Sequence, residues 1–168
     1  MKASFVTNSR FPKLAGSLKA IVLCLLLPGS VFSAGQLDPT FANGGILRSE
    51  DGSIGGSIAI QSDGKIVLAS TTIVRLNPDG SVDSGFGLGG TVFLPFQYSS
   101  IVRKVIIQPD GKILTAGSTY LNGLDSEIMV MRHNPNGSLD PSFGINGVVL
   151  TNYGIGFDEA NSIAIQAD

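Results

Sequence analysis

The sequence predicts an all-β fold of tandem four-stranded antiparallel units, and three observations predict it. "NPDGSVDSGFG" at residues 77–87 returns as "NPNGSLDPSFG" at 134–144, and a fainter copy, "GQLDPTFANGG", opens at Gly35. "SIAIQSDGKIVLAS" at 57–70 returns as "KVIIQPDGKILTAGS" at 104–118 and begins again as "SIAIQAD" at 162–168. Beyond residue 35 no segment carries the i, i+3, i+4 apolar spacing of an amphipathic helix; short apolar runs bounded by Gly, Pro, Asn and Asp take its place. Self-similarity of this length means that one supersecondary unit is repeated.

Residues 1–35 stand apart. Lys2, Arg10, Lys13 and Lys19 come before any acidic residue, the apolar run "AIVLCLLL" follows and stops at Pro28 and Gly29, and "SVFSAG" offers small residues for cleavage after Ser33, Ala34 or Gly35. This is the layout of a secretory signal peptide. Its apolar run is too short for a spanning helix, which needs about 20 residues. Cys24, the single cysteine, lies inside that run, so the mature chain has no disulfide. Leu23 stands where a lipid-anchored cysteine wants a small residue. Removing residues 1–35 takes four of the eleven Lys+Arg and none of the thirteen Asp+Glu, leaving 7 − 13 = −6. An acidic surface without basic runs argues against nucleic acid or an anionic membrane as partner.

The units follow in order. Gln61, Gln108 and Gln166 mark them, at spacings of 47 and 58 residues. Most of the difference is "STTIVR" growing to "STYLNGLDSEIMVMR", a change confined to one connection, as in a surface loop or a lengthened hairpin. Each unit opens with two apolar strands around Ser-Asp-Gly or Pro-Asp-Gly, where Asp-Gly supplies the positive φ of a tight hairpin. A third strand, "IVRL" or "VMRH", runs into Asn-Pro-Asp-Gly or Asn-Pro-Asn-Gly, where proline presets φ and glycine closes the turn. A Gly-rich corner then leads to the fourth, "TVFLPF" or "GVVLT". In the first hairpin Ile58, Ala59 and Ile60, like Val105, Ile106 and Ile107, are apolar on both faces, so each sheet is expected to be covered on both sides. Radially packed blades satisfy that requirement.

These motifs resemble the delta-60 repeat of secreted bacterial proteins, taken to form β-propeller blades. "IQSDGKIV" at 60–67, "IQPDGKIL" at 107–114 and the two Asn-Pro phrases carry the resemblance, which covers nearly all of residues 35–168. Val82 and Ala42 depart from it, standing where the family favours leucine and glycine. The resemblance implies architecture and export, and it carries over no catalytic residue. The domain reading is a signal peptide over 1–35, then two β-propeller-type repeats and the start of a third over 36–168.

Candidate sites come from residues that recur. Asn77, Asp79 and Asp83, with Asn134, Asn136 and Asp140, form an oxygen-rich pattern that could suit calcium, although the helix-loop-helix spacing and terminal Glu are missing. The competing reading is that Asn and Asp cap their own turns. Phe41, Phe86 and Phe143 share one repeat position and read as anchors packed between units. His133, the only histidine, has Leu76 as its counterpart, which argues against a ligand or general base. Lys65, Lys112, Arg75 and Arg132 are expected over exposed strand edges, discouraging edge pairing. "NGS" at 136–138 fits a glycosylation acceptor, and Asn136 is equally explained as a turn residue.

No partnered nucleophile, metal cluster or phosphate loop is visible in the sequence, so no catalytic residue and no cofactor besides calcium is named. The third hairpin breaks off at Asp168, which reads as the edge of a longer repeat protein, an incomplete propeller-like fragment. The expected function is a secreted, non-catalytic scaffold at the cell surface or outside it, binding an extracellular protein or glycan. The alternative is a propeller-type glycan hydrolase or lyase whose catalytic groups lie in further blades. The uncharged "SIAIQ" at 162–166 and the open ends predict self-association.

Overall fold

The computed structural model describes residues 35–48, 56–120 and 125–166. The segment read from sequence as a signal peptide lies outside them but for Gly35, as do Cys24, residues 121–124 of the longer connection and the last two residues of the chain. Eight strands form two four-stranded antiparallel sheets in sequence order. The first holds β1 (Ser57–Ile60), β2 (Ile66–Ala69), β3 (Thr72–Leu76) and β4 (Thr91–Phe93). The second holds β5 (Ser100–Ile107), β6 (Ile113–Tyr120), β7 (Ser126–His133) and β8 (Val148–Thr151). The described residues contain no helix.

The turns explain the register. Gly64 and Gly111 both sit at φ 82°, where a side chain would be strained, and each closes its hairpin with an N–H bond to the glutamine three residues back. That fixes Ile60 opposite Ile66 and Ile107 opposite Ile113. With the longer connection of the second unit go longer strands, β6 and β7, which pair from Ile113↔His133 to Tyr120↔Ser126. One bulge interrupts β5 between Val102 and Lys104. β4 stops at Phe93, two residues before Pro95, which has no N–H for a ladder.

The core lies between the two sheets. Val67, Ala69, Ile73 and Phe86 of the first unit meet Val102, Val105, Ile113, Met129 and Met131 of the second in one buried cluster, and β1 packs on β5. The pleat places these residues on facing sides, since Val67 pairs with Arg75 and Ala69 with Ile73, while Val105 pairs with Thr115 and Thr115 with Met131.

Two expectations change. Double coverage holds only where a second sheet stands: Val105 is buried, but its counterpart Ile58 is 64% exposed and Ile60 68%. The face of β1 turned away from β5 has no neighbouring sheet among the described residues. Residues 162–166, identical in sequence to 57–61, form no strand. The backbone bond that precedes them, Ala160 N–H to the Gly117 carbonyl at 3.2 Å, matches Val102 N–H to Ser70 at 2.7 Å, so the path repeats. Among the described residues no second strand stands beside them to complete a ladder.

Candidate functional site

Repetition gathers polar side chains in two places. The first is the corner after β3. Asp83 N–H bonds the Arg75 carbonyl, Arg75 N–H bonds Gly90, and Gly90 N–H bonds Phe86, which folds the chain into a compact loop. The Asp83 carboxylate then accepts from Arg75 Nε at 2.7 Å and pairs with Lys65 Nζ at 3.0 Å, while Gly85 N–H caps its other oxygen at 3.1 Å. The Arg75 guanidinium lies 4.5 Å over the Phe86 ring.

The second unit repeats every part of this. Asp140 holds Arg132 Nε at 2.7 Å and Lys112 Nζ at 3.0 Å, and Arg132 stacks 4.7 Å over Phe143. The Ser142 hydroxyl and Lys112 hold the Asp140 carboxyl well below the usual carboxylate range, and Lys65 does the same for Asp83. Residues 35–46 build the corner a third time without an arginine: Phe41 N–H bonds Asp38, and Gly45 N–H bonds Phe41.

The first unit's corner seats on the Asn-Pro turn of the second. Arg75 Nη1 donates to the Pro135 carbonyl, and Gly87 N–H donates to the Asn136 carbonyl at 2.9 Å. A Cβ added at Gly137 would come within 3.0 Å of the Phe86 ring. The turn needs glycine there both for its φ of 93° and for this approach.

The second place is a cleft of about 310 Å³ between the two inner hairpin turns, lined by Gln61, Ser62, Asp63, Gln108, Gly111 and Pro135 among others. The side-chain Oε1 atoms of Gln61 and Gln108 are buried without a hydrogen-bond partner. Both glutamines occupy the same repeat position and both line the cleft.

Comparison with known families finds a match at residues 61–86 and 108–143 to the model described as "Domain of unknown function (DUF5122) beta-propeller". Each matched stretch runs from the inner glutamine to the corner phenylalanine. The repeats are of the β-propeller type. No curated protein and no solved structure matches the chain. The two sheets are therefore described below as the first and second blade.

The blade geometry sorts the residues singled out in the sequence. Asn77, Asp79, Asn134 and Asn136 serve their own turns: Asn77 Nδ2 reaches Ser81 Oγ at 2.9 Å, Asp79 Oδ1 accepts from Ser81 N–H at 2.9 Å, and Asn134 and Asn136 repeat these bonds. Asp83 and Asp140 belong to the corners, where calcium would have to displace a lysine and an arginine from each. Among the described residues no three His, Cys, Asp or Glu side chains gather as a metal ligand set. Asn136 is exposed on its turn, with its backbone carbonyl bonded to Gly87.

The expectation that the lysines and arginines guard strand edges is overturned. All four neutralise the corner carboxylates, and Arg75, 7% exposed, lies on the inner face of β3 because that face meets the second blade. Phe86 is a fully buried anchor between the blades, as its repeat position suggests. His133 is fully buried as well, and its ring makes no hydrogen bond of good geometry, only an approach to the Ile113 backbone. The two glutamines were missed as site residues, although their recurrence before each Asp-Gly turn is visible in "IQSDGK" and "IQPDGK".

Arg75, nearly buried, reaches the next blade, whereas the more exposed Arg132 bonds only its own corner, so Arg75→Ala is expected to lower stability by about 2 kcal/mol and Arg132→Ala by about 1 kcal/mol or less. Urea unfolding followed by circular dichroism checks this, and equal losses would mean that the bond to Pro135 contributes nothing.

Proposed function

We propose that the chain is a secreted repeat protein of the delta-60 type, a non-catalytic propeller scaffold that binds an extracellular glycan or protein at the ends of its inner hairpins. The observation that carries this reading is the cleft between the inner turns, lined by Gln61 and Gln108 beside Asp63 and Ser62, two glutamines whose side-chain oxygens are buried without partners and would reach a ligand by a turn of the side chain. Buried acceptors without partners are costly and gain from a ligand that donates hydrogen bonds. Sugar hydroxyls and protein amide groups are such donors. The recurring charged groups support a scaffold role, because Lys65, Arg75 and Asp83 bind one another, as do Lys112, Arg132 and Asp140. His133 lies neutral between the sheets, away from solvent.

The test is a glycan array and an extracellular-protein pull-down with the full chain and with a Gln61→Ala/Gln108→Ala variant. A ligand retained by the parent and lost by the variant is the expected result. Binding that the double variant leaves unchanged would move the ligand site elsewhere, and turnover of a bound glycan would replace the scaffold reading with a catalytic one.

A further inference from the structure

The outer edge of the second blade is open where that of the first is shut. Arg132 N–H bonds the Gly147 carbonyl at 2.9 Å, and the register continues with Val149 opposite Val130 and Thr151 opposite Ile128, so Val149 and Thr151 turn their backbone groups toward β7. Val148, Leu150 and Asn152 alternate with them and turn theirs outward. Val148 is served by Ile145, whose N–H donates to the Val148 carbonyl at 2.8 Å and whose carbonyl accepts the Val148 N–H at 3.1 Å. The N–H and carbonyl of Leu150, and those of Asn152 just past the strand, have no partner among the described residues.

The first blade differs at one position. Leu88 serves Thr91 as Ile145 serves Val148, and Phe93 faces outward as Leu150 does. The next outward position, five residues after Gly90 as Asn152 is five after Gly147, holds Pro95, which has no N–H to offer. Proline there guards the edge, and Asn152 leaves it unguarded. Four strands complete the sheet, for β4 gains no fifth although a whole repeat follows it. Beside the open edge lies a groove of about 400 Å³ between the blades, formed by Pro95 and Phe96 of the first and by Leu139, Ile145, Val148 and Leu150 of the second, with no charged residue in its lining. It opens off the inter-blade core, since Phe96, Leu139 and Val148 pack against the buried cluster, while Ile145 is 81% and Leu150 40% exposed.

We propose that β8 takes an extended, uncharged peptide of a partner protein as a fifth, antiparallel strand. One peptide residue exchanges two backbone bonds with Leu150, and the residue two places along does the same with Asn152. Both of these side chains fall on the face of the sheet that carries Leu150, where an apolar one extends the inter-blade core by entering the groove against Phe96 and Ile145. The free backbone groups supply affinity for any extended chain, and the groove selects for an apolar residue. This site is separate from the cleft between the inner turns and does not depend on what fills that cleft.

The probe comes from a phage-displayed library of linear nonapeptides, selected on the full chain and counter-selected on Asn152→Pro. Pro95 already occupies that backbone position in the first blade, so the variant is expected to unfold at the temperature of the parent. Enriched peptides should carry apolar residues at alternate positions and few charges. Made synthetically, such a peptide should bind Ile145→Asp about tenfold or more weakly than the parent in isothermal titration calorimetry, and Asn152→Ala, which keeps the N–H, as tightly as the parent. N-methylation of the amides of its groove-facing residues should abolish binding, while N-methylation of the intervening amides should not. Should proline cost the fold, Ile145→Asp replaces it in the counter-selection and the methylation pattern decides. The proposal is overturned if no peptide is enriched, or if the enriched peptides bind equally well whichever amides are methylated, as capture by the apolar groove alone would give.

Discussion

Phe86→Ala is expected to cost about 3–5 kcal/mol, and Phe143→Ala only about 1 kcal/mol. The two residues are spelled alike, in "SGFG" and "PSFG", and each carries an arginine over its ring. Phe86, however, is fully buried in the cluster between the blades and presses on Gly137, so its loss opens a cavity and frees the turn it holds. Phe143 is only half-buried, with no further blade against it among the described residues. Against a total stability of about 5–15 kcal/mol for an ordinary domain, the first change leaves a substantial unfolded fraction and the second does not. Urea titrations of both variants measure the difference, and similar midpoints would refute the inter-blade role of Phe86.

His133→Leu should stabilise the protein, and by more in mild acid than at neutral pH. Burial pushes the His133 pKa down from 6.5 to about 4. The folded chain therefore keeps the ring neutral where the unfolded chain takes up a proton, and stability falls as pH drops from 6.5 toward 4. The full span corresponds to at most about 3 kcal/mol. Leucine, which fills the equivalent position at Leu76 and is buried there, removes this slope along with a poorly satisfied polar ring, worth about 1 kcal/mol more at neutral pH. Asp83 and Asp140 do not confuse the measurement. Their carboxyls are held below the ordinary 3.8, so the stability they contribute is lost only as pH falls through the range beneath it. Thermal unfolding of parent and variant at pH 8 and pH 5 makes the comparison, and a gap that does not widen at pH 5 would show that the ring is already accessible to protons.

The strands and turns of this protein were legible residue by residue because local chemistry dictates them. Asp-Gly and Asn-Pro-x-Gly permit few backbone paths, and the glycines at 64, 80, 111 and 137 all adopt the positive φ that those phrases require. The longer second hairpin was likewise visible as an insertion in one connection. The sequence could also reveal that Phe86 and Phe143 occupy equivalent positions, because repetition is a property of order along the chain.

What distinguishes equivalent residues is set by neighbours in space, and only the tertiary structure decided it. Arg75 and Arg132 carry the same charge on the same strand, but one meets a carbonyl of the next blade and the other does not. Lys65 and Lys112 looked like edge guards because their carboxylate partners lie far along the chain, at Asp83 and Asp140, and come close only when the corner folds back. Ile58 and Val105 hold the same repeat position and end on opposite sides of exposure. Burial and hydrogen-bond satisfaction depend on which surface covers a residue, and in a stack of repeats that surface belongs to the adjoining unit rather than to the residue's own sequence.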